Sequence, residues 1–359
     1  MLKLYQKYLI KYFIKKFIKV TLVFLSLVYI VSVLEEINFF KNLTNNFYIP
    51  YLLTLLNAPI TLFEIFPFIF FISTQLFFYE IFNNEELNIL KKNGLSNLRL
   101  IKYLFLLTLC MGFFNIFIYY NLASNLKFYY SDIKNNLSND NKYLAMVIDS
   151  GLWIKDEINE KQYIIKSDFI ENNFLYDNVI NEFDKSFSLI RTIQSKKIDI
   201  KKNEWLIFNP KITFKNQTNV FLKDLKLETN FDSKKIRSLF SNISSFSLFK
   251  LHSLKDEYKK FGYSTSEFDI QLLKLYTSPF FYSILTVFSA IIMLNFKKNK
   301  SIILFLIGGI LFSVLLYYIN FIFMSLGNNG KIPIYPSILF PLAIIFITSL
   351  IGLININEK

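Results

Sequence analysis

Cysteine and histidine each occur once in this 359-residue chain, and charged residues make up only 19% of it, against about 25% in ordinary soluble domains. Each shortage excludes something. Cys110 lies inside an apolar run with no second cysteine in the chain, so no internal disulfide holds the fold together. His252 has no histidine or cysteine partner, which excludes an ordinary zinc site and leaves a surface or packing role. No G-x-x-x-x-G-K-[ST] occurs, so the chain has no phosphate-binding loop of its own. The acidic residues of the polar middle third form no acid/base pair by spacing, and enzyme chemistry is not indicated.

What the chain does have is apolar length. Between Asn139 and Lys235 it reads as a soluble protein, while the flanks hold runs of about 20 apolar residues, enough for a helix to cross ~30 Å of hydrocarbon. Spans are predicted at 17–34, from near Pro59 to 82, 98–120, 272–294, 302–324 and 334–354. The basic stretch Lys3, Lys7, Lys11, Lys15, Lys16 and Lys19 precedes no small-residue cleavage site, so the first span is expected to be retained. Pro50, Pro59 and Pro67 interrupt the second apolar stretch, which predicts a short interfacial helix over 48–57 and a fresh span beginning near Pro59.

Lysine and arginine concentrate before the first span, between the second and third (Lys91, Lys92, Arg99, Lys102) and between the fourth and fifth (Lys297, Lys298, Lys300). The opposite short loops carry only Lys41 and Lys331. Basic residues near span ends stay in the cytoplasm, so both termini are expected inside and the middle domain outside. This placement accounts for the net charge of +13 without nucleic acid as a partner.

In the middle third, period-two or β-branched stretches at 143–148, 162–166, 186–193, 204–208 and 211–214 predict a small β-sandwich. Residues 247–261 then place Leu248, Leu251, Leu254 and Tyr258 at helical spacing, the apolar side of a helix packed on its own domain or lying along the membrane surface. The organisation expected is a membrane block over 1–122, an external β domain with its trailing helix over 123–262, and a second membrane block over 263–359.

Two features carry function. Residues 83–96 encode a short helix between spans: Asn83 or Asn84 can cap it, Glu85 and Glu86 suit its start, Lys91 and Lys92 its end, and Gly94 can terminate it. It is either a solvated turn or a helix that docks into a cytoplasmic subunit. Glu64 lies within the second span, where an ionisable group is costly and tends to face protein or water.

Several residues together resemble the LptF/LptG family of lipopolysaccharide-export permeases, LptG more than LptF. They are Leu34-Glu35-Glu36; Pro59, Glu64 and Pro67 as P-x4-E-x2-P; Asn84-Glu85-Glu86-Leu87 with Gly94; Gly151-Leu152-Trp153-Ile154-Lys155-Asp156; the spacing from Gly262 to Pro279; and Gly330, Pro333 and Pro341. The resemblance implies six spans in a 3+3 arrangement around a periplasmic β-jellyroll. It also implies a non-catalytic subunit in the inner membrane that binds no cofactor, with ATP bound by a partner. That subunit pairs with an LptF-like paralogue, sits on an LptB-like ATPase dimer, and passes lipopolysaccharide, a membrane lipid, to LptC- and LptA-like jellyroll proteins. By the same resemblance Asn84, Glu85, Glu86, Leu87, Leu90 and Gly94 form the ATPase-coupling helix, with Glu86 as the acidic contact. Ser32, Lys41 and Glu64 are expected on the substrate path. Where LptG proteins often have lysines, this chain reads Ser32-Val33 and Ile60-Thr61, leaving Lys41 as the nearest cation and Glu35 and Glu36 to repel phosphate unless other groups balance them. The competing expectation is an envelope scaffold that the spans merely anchor.

Overall fold

Among the described residues six helices are long and apolar enough to cross a membrane, three on either side of an antiparallel sheet domain. The computed structural model describes residues 4–41, 47–137, 152–158, 161–171, 173–214, 219–233, 236, 243–260, 264–295 and 302–357. The strand expected at 143–148, together with Lys3, Gly151, Gly262, Lys297, Lys298 and Lys300, lies outside the described residues.

The first helix, α1 (Leu4–Phe40), starts well before the expected span and draws Lys7 to Lys19 into the helix. The second, α2 (Tyr48–Asn83), overturns the expected break: it is continuous, with Pro59 and Pro67 inside it. Each proline removes one helical hydrogen bond. Breaking the helix in hydrocarbon would strand several backbone groups, so continuity costs less. At about 1.5 Å per residue α2 is roughly 54 Å long. Its first turns therefore stand beyond the hydrocarbon, where Leu53 packs with Phe40 and Tyr130.

A seven-residue helix, α3 (Glu86–Lys92), leads to α4 (Asn97–Phe114), a π-helical turn (Asn115–Tyr120) and α5 (Asn121–Leu137). The third span was expected to end at Tyr120, where the sequence turns polar. The helix runs on because Tyr130, Ile133 and Leu137 keep helical spacing and pack into the cluster of Phe40 and Leu53.

After the sheet domain come α6 (Leu248–Lys260), α7 (Ser266–Leu294), α8 (Ile302–Asn328) and α9 (Ile334–Asn357). The last three cover the expected spans. The most enclosed is α7, with 67% of its span buried against 17% for α8. It meets α4 closely: a Cβ added at Gly112 would lie 2.6 Å from the Pro279 Cα. The stripe of α6 was expected to pack on its own domain or to lie along the membrane surface, and the first does not hold. Instead Leu248, Leu251 and Leu254 join Phe63, Tyr120 and Leu272 of the membrane helices.

The π-helical turn widens the helix by one residue and places three successive side chains on other elements. The Tyr119 hydroxyl donates to the Pro59 carbonyl of α2 (3.0 Å), and the Tyr120 hydroxyl donates to the Phe246 carbonyl (3.2 Å). The Asn121 side-chain oxygen accepts from the Leu248 amide (2.9 Å), which anchors the start of α6.

The sheet domain has nine strands: β1 (Leu152–Ile158), β2 (Lys161–Ser167), β3 (Phe169–Glu171), β4 (Phe174–Phe183), β5 (Leu189–Asp199), β6 (Glu204–Phe208), β7 (Lys211–Phe214), β8 (Asn219–Phe221) and β9 (Asp224–Glu228). Their order is β1-β2-β4-β5-β6-β9, with β3 beside β4 and β7 between β5 and β8. The two long strands change face at one level. Leu175 and Ile198 point inward on one side of Asp177, and Ile180 and Ile193 on the other. One core results, around fully buried Trp205. The sheet curls until its ends meet: the backbone amide of Asn230, just past β9, donates to Asp156 on β1 (3.0 Å), and the Trp205 indole donates to the Phe231 carbonyl (2.7 Å).

The expected strands at 162–166, 204–208 and 211–214 are present. That at 186–193 starts only at Leu189, because the Asp184 carboxylate accepts from the amides of Ser186 and Ser188 and makes a turn there. Strands β1, β3, β4, β8 and β9 went unassigned at the level of sequence; in β1 and β4, Asp156, Asn178 and Glu182 occupy inward positions that alternation reserves for apolar residues.

Glu182 is buried yet ionised. Burial pushes its carboxyl up, and hydrogen bonds from Lys161 and Arg191 overcome that and hold it below the ordinary carboxylate range. A depressed folded value stabilises above the unfolded one, and the contribution is lost as pH falls through the folded value. The domain should therefore lose stability below about pH 4, and Glu182→Gln should flatten that acid limb. The chain's two tryptophans, Trp153 and Trp205, both lie in this domain, so fluorescence of the full-length protein follows it. An acid limb unchanged by Glu182→Gln would contradict the assignment.

Candidate functional site

An even number of spans returns the chain to its starting side, so α3 and both termini share one end of the bundle and the sheet domain leaves from the other. These are the terminal and domain sides below.

On the terminal side, α3 is mounted rigidly. Glu85 adopts a left-handed φ of 57°, closing the corner between α2 and α3. Gly94 at φ +84° closes the far end: its amide donates to the Lys91 carbonyl, and the Leu95 amide to that of Leu90. Only glycine adopts this conformation readily. Leu87 is buried with Leu9, Phe13, Phe78 and Leu95, and Leu90 packs against the same cluster. These two leucines anchor the helix to its own bundle. The outward face presents Asn84, Glu85, Asn88, Ile89 and Lys92, with Ile89 58% exposed.

Glu86 faces neither bundle nor solvent fully. Its carboxylate accepts from the Tyr8 hydroxyl (2.9 Å) and the Asn84 amide (3.3 Å). Two turns away on α2, Glu80 accepts from the Tyr12 hydroxyl (2.5 Å) and pairs with Lys16. Thus α1 is tied to both α2 and α3 by polar contacts. Lys16, which sequence reasoning treated only as an orientation signal, is a buried ion-pair partner.

On the domain side, Ser32 is buried within α1, and Lys41 is exposed in the turn after it. Glu36 is not left to repel phosphate: its carboxylate accepts from Lys134 (2.8 and 3.0 Å) and from the Tyr130 hydroxyl (2.7 Å). Lys127 donates to the Asn57 side chain (2.7 Å). Lys41 is therefore not the cation nearest to these segments. The helical extension Asn121–Leu137 supplies two that were missed, because the helix was expected to have ended before them.

Glu64 opens onto a cavity of about 410 Å³ between α2, α7, α8 and α9. Its walls are mostly apolar, including Phe68, Phe281, Leu285 and Leu342, and Lys274 on α7 lines it too. The hydroxyls of Ser278 and Ser313 turn back to carbonyls of their own helices. Ser32, Lys41 and Glu64 are thus not brought together at one place. Among the described residues no cluster of three or more metal-ligating side chains occurs.

A short helix pinned by two leucines at one end, a mostly apolar cavity towards the other and a curled sheet inserted between the halves make up this architecture. The family described as lipopolysaccharide export system permease LptF/LptG matches residues 7–355. The chain belongs to the LptF/LptG family. The match covers both membrane blocks and the sheet domain of this permease, and its description does not separate the F from the G type. No curated protein matches the permease. His252, the lone histidine, is exposed on α6 and within 2.8 Å of the Tyr276 hydroxyl of α7, a packing contact between elements.

Ile89, which sequence reasoning missed, left a partial signal. Leu87 and Leu90 lie three apart, so they share a face and leave Ile89 on the opposite one. Nothing local marks Lys274, which lines the same cavity as Glu64 from a helix some 200 residues away in sequence, a separation only the fold closes.

Proposed function

We propose that this permease is the non-catalytic membrane subunit of an ATP-driven exporter that extracts lipopolysaccharide from the inner membrane and passes it to a periplasmic bridge. In this reading the terminal side faces the cytoplasm, as the lysine distribution supports, and the sheet domain is periplasmic. The subunit pairs with a paralogous permease. An LptB-like ATPase dimer docks below and binds the ATP, and LptC- and LptA-like jellyroll proteins receive the lipid.

The observation that carries the reading is α3. A short helix locked at both ends, with two leucines in the bundle and Ile89 on its outward face, moves as one piece with α2 and α4. A partner that grips the outward face moves the spans. Through Tyr8 and Glu86 the same motion reaches α1.

The test uses the assembled complex. Ile89→Asp should weaken co-purification of the ATPase by about thirtyfold or more, as for an apolar hot spot at an interface centre. Glu86→Lys should uncouple ATP turnover from lipid extraction. A complex that assembles and exports normally with both substitutions would remove α3 as the coupling element.

A further inference from the structure

Glu64 and Lys274 have something in common beyond the cavity they line. At about 1.5 Å per residue, both stand roughly 30 Å from the terminal-side ends of their helices, Asn83 and Leu294. That is the full ~30 Å thickness of the hydrocarbon, so both charges sit at the headgroup level of the domain-side leaflet. Asn320 and Asn328 of α8 lie towards the same end, while Phe68 and Leu285 lie deeper. The cavity is therefore polar at its outer rim and apolar below, the polarity of a lipid in that leaflet.

Two opposite charges at one rim would ordinarily pair. Among the described residues neither the Glu64 nor the Lys274 side chain has a hydrogen-bond or ion-pair partner. Lys127, a cation within electrostatic range of Glu64, is already hydrogen-bonded to Asn57. Charges at a membrane edge stay hydrated at modest cost, and a ligand carrying the complementary pair meets both at once. A lipid with several phosphates would meet Lys274 with one of them and be repelled at Glu64. A head with one ammonium and one phosphate satisfies each.

We propose that Glu64 and Lys274 form a headgroup subsite for a lipid whose head joins one ammonium to one phosphate, the ammonium on Glu64 and the phosphate on Lys274. The subsite rests on the reading of the chain as a lipid permease and deepens it. At about 410 Å³ the cavity is of a size that holds a small-molecule ligand, so it takes the head and the first part of the chains and leaves the rest outside. Two sources share this chemistry: an ethanolamine phospholipid of the bulk membrane, and an exported lipid whose phosphate bears an aminoethyl group.

The full-length protein is reconstituted in bilayers of equal phosphatidylethanolamine and phosphatidylglycerol, and lipid retained on purification is quantified by mass spectrometry. Wild type should enrich phosphatidylethanolamine about tenfold. Glu64→Gln should erase the enrichment and Glu64→Lys reverse it towards phosphatidylglycerol. The exchange variant Glu64→Lys with Lys274→Glu keeps both charges and should restore it. A second arm offers lipopolysaccharide with and without aminoethyl groups on its phosphates. Enrichment of the aminoethyl form assigns the subsite to the exported lipid, and enrichment confined to the phospholipid assigns it to the bulk membrane.

Unchanged lipid ratios in Glu64→Gln and Glu64→Lys would overturn the subsite. ATP-driven extraction by the assembled complex is measured in parallel. Extraction that proceeds with an unmoved headgroup ratio overturns the subsite and leaves the permease reading standing. A ratio moved by these substitutions without any extraction in wild type does the reverse.

Discussion

Replacing Lys134 by methionine should destabilise the full-length protein by about 3–5 kcal/mol, the cost of leaving one member of a buried ion pair uncompensated. Lys134 and Glu36 are 9% and 4% exposed, and the ammonium lies 2.8 and 3.0 Å from the two carboxylate oxygens. It also sits 4.4 Å from the centre of the Phe39 ring. Without it, among the described residues the Glu36 carboxylate keeps only the Tyr130 hydroxyl. Removing both charges as Glu36→Leu with Lys134→Met should cost much less, because a hydrophobic pair of similar volume is often neutral. Thermal unfolding in detergent of wild type, the two single variants and the double variant completes the cycle. Single variants no less stable than the double would mean that the pair is not desolvated in the membrane.

The second large effect comes from the same chemical change made at two glycines. Gly112→Ala should lower stability by about 1–3 kcal/mol, since the new methyl would lie 2.6 Å from the Pro279 Cα, and backbone cannot move aside as a side-chain tip can. Small residues at such contacts let membrane helices approach closely. Gly308→Ala meets nothing within 4 Å and should stabilise by about 0.5–1 kcal/mol through helix propensity alone. Opposite signs in paired melting curves are the expected result. A neutral Gly112→Ala would show that α4 and α7 can separate freely there.

The spans were legible because apolar length is a local property, and their number and order follow from it. Their limits were not. Pro59 and Pro67 signal a break in water, and the solvent that would make the break favourable is absent in hydrocarbon. Tyr120 marks the end of apolar composition, while the helix continues on contacts from Phe40 and Leu53, which lie far away in sequence. In the sheet domain, Asp156 and Glu182 hid their strands because an inward charge reads as a turn until its partners, Asn230 for one and Lys161 with Arg191 for the other, are brought to it.

The helix α3 was legible as a helix from its end signals, and its division into an anchored and an outward face was not drawn from them. Glu64 stood out as a charge within a span. Lys274 did not, since it reads as one more basic residue near a span end. The tie between Tyr8 and Glu86 had no sequence signal at all, being a contact between one helix start and another.

The π-helical turn Asn115–Tyr120 has a bearing on heredity as well as on shape. A wider turn amounts to one residue more than an α-helix needs, so deleting a single codon there would let the helix close up. Everything after it would then keep its bearing, because the wider turn already absorbs the roughly 100° that one extra α-helical residue would add. Lys134 would still face Glu36, and the sheet domain would leave the bundle as before. Elsewhere in α4 or α5 there is no such slack, and a one-residue deletion is a change of compass bearing for all that follows.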